Sequence, residues 1–220
     1  MRQELLIPKG MKDATVIVVG LGMLGSWVSH ALARSCGHVM GYDFDTVGHE
    51  NVGTQAYVPV EVGLGKAAAL HSHLIGLPFK AFNERFTADM RYGGGSPLVI
   101  VSCVDSFEGR RMVAEWAAKH ADLFIDTRAH GTVGVVIAAT LQNGRDIPGY
   151  LATLESDEDA PAPQCGAEGT AFVGMWVAAQ VASTMVRFFR GLPYAYKVVQ
   201  DIGLDATIAR VPLEEAVPMT

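Results

Sequence analysis

The sequence predicts an α/β fold with a mostly parallel sheet flanked by helices. Short β-branched runs alternate with segments of helical period, a glycine-rich turn joins the first strand to the first long helix, and half of the 220 residues are apolar. A chain of this length suits one large core, so residues 1–220 are expected to form a single domain. Charged residues make up 18%, which argues against extensive disorder.

Thr15–Val19 (TVIVV) has the continuous apolar character of a strand buried on both faces, and it ends at Gly20. Ser26 to Arg34 carries apolar residues at helical spacing, and His38–Tyr42 reads as the next strand, ending at Asp43. A helix is predicted from Lys66 to Ile75, strands at Phe79–Phe86 and Leu98–Cys103, and a helix over Phe107–His120. A short strand at Leu123–Asp126 leads into an apolar strand at Thr132–Thr140. Ser156–Gly166, acidic and proline-containing, reads as a surface loop. Thr170–Phe189 is a long apolar helix stopped by Arg190, Gly191 and Pro193, and Tyr196–Val211 reads as a hairpin turning at Gly203–Asp205.

The formal net charge of -6 offers no general attraction to a polyanion, so nucleic acid is not the expected partner. The N-terminus lacks the apolar stretch of a secretion signal, and the Thr, Ser and Gln of the 170–189 segment suit a core helix better than a membrane span. The expected compartment is the cytoplasm, without a membrane partner. Cys36, Cys103 and Cys165 lie far apart with no CxxC pair, so no structural zinc is expected; the first two sit in apolar surroundings.

Gly20-Leu21-Gly22-Met23-Leu24-Gly25 fits the glycine fingerprint of a Rossmann-like strand–turn–helix unit, in which missing side chains let backbone N–H groups approach a polyphosphate. Asp43, about 20 residues on, stands where an acidic residue commonly binds a ribose. These features fit ATP and NAD alike, and also a glycine turn kept for packing with a solvated strand-end aspartate.

The segments beyond Asp43 are more specific. Asp43-Phe44-Asp45-Thr46-Val47, then Asn51 and Gln55, then Gly63-Leu64-Gly65-Lys66, then Cys103-Val104-Asp105 with Arg110, resemble the ordered motifs D-x-D-x-V, N-L-x-R-Q, G-x-x-K and C-x-D-N-x-x-x-R of the ThiF/MoeB/HesA family, the bacterial relatives of ubiquitin-activating enzymes. The resemblance runs from about Val16 to Arg190. It implies an activating-enzyme-like adenylation domain that uses ATP and Mg²⁺ to adenylate the C-terminal carboxylate of a ubiquitin-like or sulfur-carrier protein ending in Gly-Gly. It also implies a homodimer.

Adenylation needs positive charge at the α-phosphate and the leaving pyrophosphate. Lys66 would supply a point charge, Asp105 at a strand end would hold Mg²⁺, and Asn51 would donate to a phosphate oxygen. Lys66 could instead be solvated and Asp105 a helix cap, while Arg110 reads as a ligand, a support of the site or a surface ion pair. Gly20, Gly22, Gly25, Asp43, Asp45 and Gln55 complete the expected nucleotide-binding set.

The chain departs from the pattern at Thr54, where the family has a phosphate-binding arginine. Arg2, in a segment like the one that reaches the partner subunit's ATP in dimeric members, and Arg128, just past a strand end, are the candidates to replace it. Cys165 resembles a cysteine with which some members accept the activated carrier, although the acidic Asp157, Glu158 and Asp159 beside it would raise a thiol pKa. Two other readings stay open: an NAD-dependent Rossmann oxidoreductase, and a catalytically inactive nucleotide-binding partner protein.

Overall fold

A computed structural model describes residues 6–140, 146–154, 169–204 and 206–212. One eight-stranded sheet runs through them in the order β3-β2-β1-β4-β5-β6-β7-β8. The chain enters through a short helix α1 (Lys9–Asp13), then β1 (Thr15–Val19), α2 (Met23–Leu32) and β2 (His38–Tyr42). After a long crossover come α3 (Lys66–His73), β3 (Phe79–Phe82), β4 (Leu98–Ser102) and α4 (Phe107–His120). The remainder is β5 (Leu123–His130), β6 (Val133–Thr140), α5 (Asp146–Leu151), α6 (Ala171–Phe189), β7 (Ala195–Asp201) and β8 (Ala206–Pro212).

Strands β1 to β5 pair in parallel and β5 to β8 in antiparallel fashion, so the sheet has a parallel half and a meander half. The parallel half explains its sequence. Val16 and Val18 join the core under α2, α3 and α6, whereas Ile17 and Val19 join a second core under α4 and α5. A strand covered on both faces has no polar side to show, which is why β1 and β4 are buried at every position.

Helix α6 is long and apolar enough to cross a membrane by length and composition, with a mean hydropathy of 1.3. Its buried residues Val173, Val177, Val181 and Met185 recur at a spacing of about one turn and pack against α2 and β6, as expected of a core helix. Gly191, at a φ of 62°, stops it in the left-handed region.

Three boundaries differ from the sequence reading by three residues or more. Helix α2 starts at Met23 rather than Ser26, directly on the glycine turn. Strand β3 stops at Phe82, and β5 runs on to His130 because β6 pairs back on it through Gly131, at a φ of 58°. The 156–166 loop lies outside the described residues.

On the α2 face, His30 lies with its ring 5.7 Å from that of His73, whose Nε2 is 2.7 Å from Glu61 Oε1. Burial, reinforced by Arg34 and His73, pushes His30 down to about 4, and its Nε2 is buried without a hydrogen-bond partner. The unfolded chain, with an ordinary value of 6.5, therefore takes up this proton first. Stability is expected to fall as the pH drops from 6.5 toward about 4, by about 1 kcal/mol after allowance for the exposed part of the ring. Urea unfolding across that window should show a shallower pH slope for His30→Gln; an unchanged slope removes His30 as the cause.

Candidate nucleotide site at the carboxyl ends of the parallel strands

Sheet order reverses between β1 and β4, and in open α/β sheets ligands bind outside the carboxyl ends of the strands at such a switch point. A cavity of about 520 Å³ lies there, lined by the residues following β1, β2, β3 and β4. A larger hollow of about 660 Å³ opens at the opposite ends, between Asp13, His38, Lys80 and Ser96, and contains none of the motif residues. The smaller cavity is the chemically equipped one.

The three motif glycines have different reasons. Gly20 has a φ of 87°, and a Cβ there would stand 2.7 Å from the Cys103 carbonyl oxygen. A Cβ on Gly25 would overlap the Gly20 carbonyl oxygen at 1.8 Å, so this glycine lets α2 sit on the turn. At Gly22 the nearest atom to a Cβ is Gln55 Oε1, 4.0 Å away. Packing does not demand that glycine, and the space it leaves is part of the cavity. Helix α2 begins there with no side-chain cap, so its first N–H groups face the cavity as a natural anion site.

Asp43 is buried. Its two carboxylate oxygens accept from the N–H groups of Leu21, at 2.6 Å, and Asp45, at 2.8 Å. It is therefore not a solvated strand end: it ties the glycine turn to the crossover while lining the cavity. Lys66 is buried too, with its Nζ 3.2 Å from Asp45 Oδ2. The crossover is held by Tyr57, whose hydroxyl donates to Leu21 O at 2.7 Å and lies 3.4 Å from Lys66 O. Burial, with Asp43 and Glu61 adding to it, raises the Tyr57 pKa, so the phenol stays a donor.

Asp105 lies exposed at the end of β4 and lines the cavity. It does not cap the next helix. Ser106 does, accepting from Gly109 N at 3.1 Å. Gln55 also lines the cavity, with a buried Oε1 that has no hydrogen-bond partner.

Other expected residues fall elsewhere. Asn51 is not a lining residue: its Oδ1 accepts from Gly48 N at 2.8 Å and its carbonyl from Gln55 N at 2.8 Å, so it shapes the turn that presents Gln55. Thr54 is also outside the lining, its carbonyl accepting from Trp27 Nε1 at 3.1 Å. Arg128 does not reach the cavity; its Nε donates to Asp126 Oδ2 at 2.7 Å. Arg110 does line it, but Nη1 donates to the other oxygen of Asp126 and to Thr127 O at 2.8 Å, which fits the supporting role better than that of a free phosphate ligand. Arg2 and Cys165 lie outside the described residues.

Cys103 stands at the floor of the cavity, where burial pushes its thiol up to about 12 against the opposing effects of Thr127 and Arg110. Such a thiol is not a nucleophile near neutral pH. The sequence reading missed Tyr57, Phe44 and Arg85. No local pattern marks Tyr57, whose partner is 36 positions away; Phe44 and Arg85 join the lining from the loops after β2 and β3.

With this geometry in place, the comparison with known proteins is decisive for ancestry. The model of the ThiF family matches residues 8–211. The chain belongs to the ThiF family. Among its relatives, tRNA threonylcarbamoyladenosine dehydratase 2 of Saccharomyces cerevisiae is 30% identical over 120 residues, covering 50% of this chain and 27% of that protein. Ubiquitin-like modifier-activating enzyme 5 of Caenorhabditis briggsae is 32% identical over 120 residues, covering 47% of this chain and 28% of that protein. The chain thus spans under a third of the curated relatives it matches. Among solved structures, E. coli MccB superposes with a TM-score of 0.70 at 14% identity, over 94% of this ThiF-family chain and 65% of that one. MccB has also been crystallised with ATP. E. coli tRNA N6-threonylcarbamoyladenosine dehydratase, TcdA, superposes at 0.62 with 17% identity, over 87% and 90% of the two chains. The shared fold is the Rossmann-like one expected.

Proposed function

We propose that this ThiF-family protein is an adenylyltransferase that activates the C-terminal carboxylate of a small ubiquitin-like or sulfur-carrier protein with ATP and Mg²⁺, in the cytoplasm. One observation carries this reading: the open glycine at Gly22, the buried Lys66 and the exposed Asp105 meet around one cavity, although they come from three separate segments of sequence. The relatives' names, a ubiquitin-like modifier-activating enzyme among them, support the same chemistry.

The residues suit the reactants. A polyphosphate laid over Gly22 meets the uncapped N–H groups of α2, and Lys66 is close enough to add charge. Asp105 would hold Mg²⁺, which screens the negative charge of the polyphosphate when bound. A hard cation of this kind takes one or two carboxylates and keeps its waters. In the reaction a carboxylate oxygen forms a bond to the α-phosphorus as the bond to the bridging oxygen breaks, and pyrophosphate leaves with that electron pair. The chain's part is to align the α-phosphate and to stabilise the charge moving onto the leaving group. Homodimerisation, with Arg2 of a second copy completing the site, belongs to this reading.

A second reading is favoured by Thr54: with no arginine there, and with Arg128 turned to Asp126, the protein would bind nucleotide without turning it over. ATP–pyrophosphate exchange in the presence of Gly-Gly-terminated carriers separates the two. Carrier-dependent exchange is expected; ATP binding without exchange establishes the inactive partner, and tighter binding of NAD than of ATP overturns both.

A further inference from the structure

Resting on the nucleotide reading above, we infer that Phe44 and Arg85 form a stacking clamp for the nucleobase, at the end of the cavity away from the glycine turn. The loops at the carboxyl ends follow the sheet order, so moving outward from the turn after β1 one meets Asp43 after β2 and then Arg85 after β3. A nucleotide with its phosphates at Gly22 and its ribose at Asp43 points its base toward β3.

That end of the cavity changes character. Tyr42, Phe44 and Phe86 line it, and the Arg85 guanidinium carbon stands 4.1 Å from the centre of the Phe44 ring. Phe44 is a large apolar side chain left 50% exposed, and Arg85 is exposed as well. The other two lining cations are already paired, Lys66 with Asp45 and Arg110 with Asp126; among the described residues Arg85 is in no ion pair. A planar cation held over an aromatic ring offers its own flat face to a base, and every base has a π-face to match. The pair therefore grips the base by stacking, and the triphosphate is left to Gly22 and Lys66. Neither side chain is buried in the core, so their removal leaves the fold in place.

Calorimetric titration with adenosine, AMP and ATP, each at low and high salt, tests the clamp on Phe44→Ala, Arg85→Ala and Arg85→Lys. Stacking predicts a roughly tenfold loss of affinity in both alanine variants, equal for all three ligands and nearly independent of salt, with little recovery in Arg85→Lys because lysine keeps the charge without the plane. A loss that grows with the number of phosphates and is restored by Arg85→Lys makes Arg85 a phosphate ligand and overturns the clamp. Natural affinity in all variants overturns it too while leaving the nucleotide reading intact, whereas failure of the natural protein to bind any of the three removes both.

Discussion

Replacing Asp105 with alanine is expected to lower ATP–pyrophosphate exchange by about 10²–10³-fold, on the scale of losing one preorganised charge partner at a reacting centre, with no change in thermal unfolding. The two halves of this expectation have different sources. Asp105 is exposed on the cavity wall, so removing its carboxylate opens no void in the core. The helix after it keeps its cap, because the group accepting from Gly109 N is the Ser106 hydroxyl. Had Asp105 been the cap, its loss would cost about 1 kcal/mol of stability. What remains is a strand-end carboxylate facing the place where a polyphosphate and its cation would lie. Exchange assays at several Mg²⁺ concentrations, paired with melting curves, decide the matter. An early-melting variant makes Asp105 structural, and full exchange at every Mg²⁺ level ends its metal role.

The sequence foretold the parallel half of the sheet for a physical reason. β1 and β4 lie between two helical layers, and burial on both faces writes itself as an unbroken apolar run rich in β-branched residues. Helix α4 matched its expected limits because its apolar residues recur at helical spacing from Phe107 to His120, while the cap proved to be Ser106 rather than Asp105. Polar residues hid the continuation of β5: Thr127, Arg128 and His130 resemble a loop until β6 pairs with them.

The site was legible where its residues are fixed by local geometry and illegible where long-range partners decide. Gly20 needs its positive φ and Gly25 its approach to the Gly20 carbonyl oxygen, both set within the turn, and so they stand in a recognisable pattern. Asn51 fits its motif equally well, and its Oδ1 also closes the turn that presents Gln55, a contact the motif does not foretell. Arg128 looked like the missing phosphate ligand because it follows a strand end, and only the fold reveals Asp126 beneath it. Phe44 and Arg85 have no sequence signal as a pair, since they meet only once β2 and β3 lie side by side.

Asp126→Ala is expected to be the most destabilising single change on the site side of the sheet. Asp126 is fully buried, and its carboxylate bridges Arg110 and Arg128, one guanidinium on each oxygen. Arg110 is itself nearly buried, and Arg128 has three quarters of its side chain covered, at 25% exposure. Removing the anion leaves two guanidiniums side by side in a poorly solvated place, which typically costs about 3–5 kcal/mol. For a domain of this size that corresponds to a fall in Tm of roughly 6–20 °C. Because Arg110 lines the cavity, its release should also disturb nucleotide binding in whatever fraction remains folded. Asp126→Asn keeps the shape and one acceptor oxygen while removing the charge, and should fall between the natural protein and the alanine variant. A triple change of Asp126, Arg110 and Arg128 to apolar residues of similar volume should recover much of the lost stability, since replacing a buried ionic group as a whole is often neutral or better. If Asp126→Ala melts within a degree or two of the natural protein, the bridge is not what holds β5 and α4 together at the floor of the site.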